Sequence, residues 1–221
     1  MQIAILGGTG DIGEGLALRW GYDTDYDVVI GSRDAERARD AASSYESKLA
    51  EHGRDVPIEG AKNPEAATGA DVAVAAVPAY HLTDTIESVA ETLDDAVLVS
   101  PAVGMQRDEE GFHYNPPSAG SVTALAADAA PDGIPVVGAF HNLAAGRLAD
   151  LDDDLGIDTL LVGDDAEAKA TVAEVADGIE GLRALDAGGL VNAPEIEGIT
   201  PLLINVAQHN DGLHDLGVRF E

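Results

Sequence analysis

What most narrows the possible folds of this chain lies in its first 13 residues. The apolar run Gln2-Ile3-Ala4-Ile5-Leu6 breaks directly into Gly7-Gly8-Thr9-Gly10-Asp11-Ile12-Gly13. Gly8, Gly10 and Gly13 stand in G-x-G-x-x-G spacing where a first strand turns into a helix. In that setting Gly8 permits a tight turn and Gly10 lets backbone approach a pyrophosphate. Gly13 allows close helix–strand packing, and the amides at the helix start are left for the anion. Glycine turns also recur in proteins that bind nothing, so the strand–turn–helix context carries the argument. It fits a dinucleotide.

The second strand, Tyr26-Asp27-Val28-Val29-Ile30, is followed by Gly31-Ser32-Arg33. An NAD site places Asp or Glu near this point to hold the adenosine ribose hydroxyls. A carboxylate would repel a 2′-phosphate, whereas the Ser32 hydroxyl and the Arg33 guanidinium bind one through charge-assisted bonds. Arg37, four residues on, shares a side of the following helix with Arg33. Both also read as surface arginines at a helix start, but arginine is scarce in this chain. NADP is therefore expected. Asp34 is the discordant residue, unless its carboxylate points outward or pairs with Arg37.

The balance of 12 basic and 41 acidic side chains gives a formal charge of −29. Such a surface repels nucleic-acid phosphates and anionic membranes, so neither partner is expected. It also destabilises the compact state by self-repulsion unless counterions screen it, which with small apolar residues and few aromatics suggests a salt-rich cytoplasm. No cysteine is present, which removes disulfides, thiolate metal ligands and cysteine nucleophiles; no metal motif appears. The core strand begins at once, leaving no room for a cleaved export signal, and no apolar run is long enough to span a bilayer. A cytoplasmic location is expected.

Strand and helix signals alternate along the chain: helices over 11–20, 35–50, 82–93 and 121–130, strands over 56–60, 71–77, 96–99 and 134–139. This alternation predicts an α/β fold with a parallel sheet and right-handed crossovers, a Rossmann-like architecture. Residues 100–118, rich in Pro and Gly, read as a loop able to cover a ligand or as a structural excursion. After Asn142 the character changes. A strand over 159–162, a helix over 166–176, a strand over 182–185 and a helix over 199–209 predict a small C-terminal α/β portion, residues 143–221. It would pack on a nucleotide-binding domain of residues 1–142 as an extension of the sheet or as a cap.

In open parallel sheets the ligand crevice lies beyond the carboxyl ends of the strands. Three such ends stand out: Val77-Pro78-Ala79-Tyr80-His81, Ser100-Pro101-Ala102-Val103-Gly104 and Phe140-His141-Asn142. Pro78, Pro101 and Val103 supply rigid apolar walls for a planar ring. His141 and Asn142 can donate or accept at its polar edge. His81 reads equally as a first-turn residue of a solvent-facing helix, and Tyr80 as packing. Asn205 and His209 share a helical face, which a polar dimer contact would also explain. No strong catalytic dyad emerges. Two redox rings held face to face need approach, orientation and exclusion of water more than a nucleophile, whereas a carbonyl reductase more often needs a proton donor.

The segments ILGGTGDIGEGLALR, VVIGSR, GAFHNLAAGRLADLD, LRALDAGGL and TPLLINVAQHNDGLHDLGVRF together resemble the NADPH-dependent reductases of coenzyme F420, the archaeal F420H2:NADP oxidoreductases. The resemblance spans the chain. It implies a compact Rossmann domain with a smaller C-terminal part that contributes to the F420 cleft and to oligomer contacts, commonly a homodimer or higher homo-oligomer. It implies reversible hydride transfer between C5 of the reduced deazaflavin and C4 of the NADP nicotinamide, with F420 as redox co-substrate and no catalytic side chain. Carried residue by residue, it places Thr9, Gly10, Asp11 and Ile12 at the pyrophosphate and Ser32, Arg33 and Arg37 at the 2′-phosphate. Family members can have a basic residue where this chain has Asp34. The family's Pro-Trp-x-His appears as Pro78-Ala79-Tyr80-His81, against the deazaflavin. Ser100, Pro101 and Val103 shape the ring cavity, and His141 orients a polar ring edge beside Asn142. Two other readings compete: an NADP-dependent reductase of a small imine or carbonyl, such as the pyrroline-carboxylate reductases that resemble the N-terminal half, and a nonenzymatic NADP-sensing module.

Overall fold

The computed structural model describes residues 1–221. Six parallel strands form the central sheet: β1 (Gln2–Leu6), β2 (Asp27–Ser32), β3 (Ile58–Lys62), β4 (Val72–Ala75), β5 (Val97–Ser100) and β8 (Val136–Gly138). Their spatial order is β3-β2-β1-β4-β5-β8. The order reverses between β1 and β4, which opens the crevice at the carboxyl end of β1.

Alternation along each strand serves two cores. Ile3, Ile5, Val72 and Val74 face one side, against α1 (Asp11–Asp23), α2 (Ala35–Glu51) and α7 (Ala166–Asp177). Ala4, Leu6, Ala73 and Ala75 face the other, against α3 (Asn63–Ala67), α4 (Ala79–Val89) and α5 (Val122–Ala129). Burial on both faces explains why these strands read as near-continuous apolar runs.

The structure refines several expected elements. β3 starts after Pro57, which can donate no ladder bond. α4 begins directly behind Pro78, so Tyr80 and His81 sit in its first turn. The loop expected over 100–118 contains an antiparallel hairpin, β6 (Met105–Asp108) and β7 (Gly111–Tyr114).

Beyond Asn142 come the short α6 (Ala145–Ala149), then β9 (Ile157–Leu161), α7, β10 (Leu182–Asp186), α8 (Ala193–Glu197) and α9 (Ile199–His209). β9 and β10 pair in parallel, and an antiparallel bridge between Gly138 and Val162 joins this pair to β8. The core runs without a break across Asn142: Trp20, Phe140, Leu148, Leu155, Val172 and Val175 belong to one cluster. Trp20 lies edge-on to Phe140 at 5.8 Å and donates its Nε1–H to the Val175 carbonyl at 2.7 Å. Arg19, also buried, donates to the carbonyls of Leu148, Arg147, Asp150 and Asp153, tying the end of α6 to α1.

Candidate active-site groove

The glycine loop is held from three sides. The Gly8 amide donates to the carbonyls of Ile5 and Gly31, and Tyr45 donates its hydroxyl proton to the Gly8 carbonyl at 3.0 Å. Burial pushes the Tyr45 phenol up to about 12, so it remains a donor. The left-handed position of the turn is Gly7, at φ +71°, and not Gly8. Gly8 is required for another reason: a Cβ there would lie 2.8 Å from the Ile5 carbonyl oxygen. A Cβ on Gly13 would meet the Gly8 Cα at 2.5 Å, which is the close helix–strand approach expected of it. A Cβ on Gly10 would make only an ordinary contact, 3.9 Å from the Gly7 carbonyl oxygen, and no side chain caps α1. Its first-turn amides are left to an anion.

One end of the groove is a cleft of about 340 Å³ lined by Gly7, Thr9, Gly10, Ser32, Arg33, Asp34, Arg37, Asn63, Pro78, His81 and Thr85 among others. Arg33 and Arg37 make no ion pair within the chain and are exposed. Asp34 is the N-cap of α2. One carboxylate oxygen accepts from the amides of Glu36 at 2.9 Å and Arg37 at 3.4 Å, where the positive helix end offsets its charge. It does not pair with Arg37. Asn63, unremarked in the sequence, accepts from the Gly7 amide at 3.2 Å; nothing local in the sequence marks it, because the contact spans 56 residues.

A middle cavity of about 480 Å³ shares Thr9, Gly10, Arg37 and Pro78 with that cleft and adds Asp11, Ile12, Pro101 and Ala102. Ile12 also lines a third cavity, of about 530 Å³, with Asn142, Leu143, Thr200, Leu203, Ile204, Ala207 and the tail residues Leu213–Leu216. The third cavity is mostly apolar and is built almost wholly from the C-terminal segments. Its α9 and tail residues lie within the segment TPLLINVAQHNDGLHDLGVRF, but none of them was expected individually at the site. Asn205, by contrast, faces the hairpin: it accepts from the Phe112 amide at 2.8 Å and donates to the Phe112 carbonyl at 2.7 Å. His209 is exposed.

At the exits of β5 and β8 three buried polar atoms lack a partner: Ser100 Oγ, His141 Nδ1 and Asn142 Oδ1. Ser100 lies opposite Gly138 in the sheet register, so the three cluster at neighbouring strand ends. Asn142 lines the third cavity, whereas Ser100 and His141, expected at the ring, line none of the three and lie inside the fold. Burial alone holds the His141 imidazole down to about 4, so the ring is neutral.

Of the residues expected to build the second ring's wall, Pro78 and Pro101 line the middle cavity. His81 lines the cleft that also contains Ser32 and Arg33. Tyr80 is 80% exposed and lines none of the three cavities; its ring leans on His81 at 4.4 Å. Val103 is half-buried beside the hairpin and also lies outside the linings.

Comparison with known proteins bears on what this groove serves. The F420-dependent NADP reductase of Methanothermobacter thermautotrophicus is 40% identical over 223 aligned residues, covering 99% of this chain and 94% of that protein. The chain belongs to this family. The Methanocaldococcus jannaschii F420-dependent NADP reductase is 38% identical over 209 residues, 93% of this chain and 92% of that protein. The family model described as NADP oxidoreductase coenzyme F420-dependent matches residues 2–104. The crystal structure of a putative F420-dependent NADP reductase from Arthrobacter sp. FB24 shares the fold over 100% of this chain and 99% of that one, with TM-score 0.81 at 24% identity. A pyrroline-5-carboxylate reductase from Coxiella burnetii aligns over 83% of this chain but 58% of its own, with TM-score 0.55 at 17% identity. That likeness is one of fold, so the imine-reductase reading loses its support. No helix is long and apolar enough to cross a membrane.

Proposed function

We propose that this protein is an F420H2:NADP oxidoreductase whose groove holds the two carriers end to end, with their reacting rings meeting where the middle and third cavities join at Ile12. NADP and F420 supply the redox chemistry when bound: a hydride passes between the deazaflavin C5 and the nicotinamide C4, and F420H2 plus NADP⁺ gives F420, NADPH and a proton. The chain itself binds, orients and excludes water. The uncapped start of α1, with Gly10 as its N-cap beside Thr9 in the cleft, fits a pyrophosphate. Ser32, Arg33 and Arg37 hold the 2′-phosphate, and Asp34, committed to the helix amides, does not compete for the same arginines. The apolar third cavity takes the deazaflavin ring, with Asn142 and Thr200 as polar contacts.

The observation that carries this reading is the run of three cavities with shared walls, cationic at one end and apolar at the other. Anaerobic stopped-flow mixing with F420H2 and NADP tests it. The deazaflavin and nicotinamide absorbance changes are expected in equal amounts, with NAD a poor acceptor; binding without stoichiometric exchange would reject it, as would turnover of a small imine without F420.

Three coarser features belong to the same reading. Residues 143–221 act as the F420-binding portion, docked on the nucleotide-binding portion through the shared core. The protein works in the cytoplasm. Two copies associate through the outer face of α9, where Leu202 is 60% exposed and no Asp, Glu, Lys or Arg occurs over 199–209. In so acidic a chain this is where like-charged copies can touch, and sedimentation of Leu202→Asp beside the unaltered protein checks it.

A further inference from the structure

Asp158, on β9, is fully buried. Arg183 stands opposite it in the register with β10, so the two side chains leave the pair on one face. The guanidinium forks onto the carboxylate, Nε to Oδ1 and Nη2 to Oδ2, each at 2.8 Å. The same two groups hold the end of the tail. Asp158 Oδ2 accepts from the Phe220 amide at 2.6 Å, and Arg183 Nη2 donates to the Phe220 carbonyl. The Asp158 amide donates to the Val218 carbonyl at 2.8 Å. Gly217 is pressed against β9, where a Cβ would lie 2.5 Å from Ile157 Cγ2. The Asp158 carbonyl accepts from Asn142 Nδ2 at 2.7 Å, and Asn142 lines the third cavity. One residue thus holds both Asn142 and the tail.

Between α9 and this latch the tail crosses the third cavity, which Leu213, His214, Asp215 and Leu216 all line. These four belong to no helix or strand. Over Leu213–Gly217 the one backbone bond, from the Leu213 amide to the Asn210 carbonyl, closes a local turn. A wall without bonding of its own takes its place from its two ends, here α9 and the Asp158–Arg183 pair. We propose that this pair positions Leu213–Leu216 as a wall of the third cavity and thereby sets the affinity for the carrier bound there. This rests on the placement of the deazaflavin in that cavity. Asp158 and Arg183 line none of the three cavities, so they act through the tail. A tail held before the ring arrives needs no ordering at the moment of binding. Released, it would stand at the wall only part of the time, and the apparent affinity would fall by that fraction.

Amide hydrogen exchange of the full chain, resolved by residue, tests the latch. The Phe220 amide is expected to be protected without any ligand, and residues 213–216 to gain protection on adding oxidised F420 but not NADP. Free exchange at Phe220 overturns the proposal, as does a 213–216 segment that saturating F420 leaves unchanged while the protein turns over. Arg183→Met keeps the stem of the side chain and removes its donors. It is expected to speed exchange at Phe220 and to raise the F420 KM about tenfold, as for a tail in place about one-tenth of the time. The NADP KM, and kcat at saturating F420, should hold. Arg183→Lys keeps the charge and a donor, and its F420 KM should fall between. Faster exchange at Phe220 with an unaltered F420 KM, or F420 and NADP KM values raised alike, sinks the proposal. Should Arg183→Met not fold, because it leaves a buried carboxylate unpaired, Phe220→Pro removes a single latch bond and its F420 KM is read in the same way. Absence of hydride transfer in the unaltered protein would instead count against the reaction, with amide exchange at Phe220 and at 213–216 still deciding the latch.

Discussion

Arg33 shows what a single side chain contributes. It makes no ion pair in the chain and lines the cleft with Ser32 and Arg37. Arg33→Ala is expected to raise the NADP KM by roughly 10–100-fold with little change in kcat, the loss of a charge-assisted bond; a parallel loss of NAD activity in steady-state kinetics would point to a folding defect instead. His141 sets a pH limit. Its folded pKa, depressed to about 4 by burial, lies below the ordinary value, so the unfolded chain binds the extra proton. The benefit of burying a neutral ring is complete above about pH 6.5 and is lost as pH falls toward 4, about 3 kcal/mol in all. Urea unfolding of the unaltered protein and of His141→Gln should show that acid-side slope only in the former. That Ser32, Arg33 and Arg37 line one cleft was legible because local spacing fixes them: all three follow one strand. Gly7 was passed over because a positive φ leaves no mark in G-x-G-x-x-G spacing, and Asn63 because its bond to the glycine loop is long-range.

At the scale of elements, the hairpin β6–β7 and α9 form a unit through Asn205, whose amide clamps the Phe112 backbone in both directions. Asn205→Ala is expected to cost about 2 kcal/mol, two modest hydrogen bonds. Because α9 lines the third cavity, the F420 KM should rise while the NADP KM holds; an equal rise in both would show that the clamp is not local to that cavity. The central strands and long helices were legible from apolar runs and their punctuation. The hairpin was not, since all four residues of β6 are exposed and polar or flexible, with no alternation to betray a strand. Short α3 and α6 are too brief to show a helical period. The third cavity escaped for a different reason: its walls come from Ile12, the segment after β8, α9 and the tail, and only tertiary packing brings them together.

For the molecule as a whole, a formal charge of −29 sets the working conditions. Dialysis from molar salt to low salt is expected to lower the melting temperature by about 5 °C or more as screening of surface repulsion is lost. Equal or greater stability after desalting, read by calorimetry, would contradict this account of the acidic surface. The chain carries one tryptophan, and it sits at the seam where α1 of the strand-ordered first part meets the later α7. Trp20 is therefore an intrinsic optical gauge placed where both parts interlock. Any event that parts them wets the indole and shifts its emission to the red, so fluorescence from an unlabelled sample reads the opening of that seam without a second chromophore to disentangle.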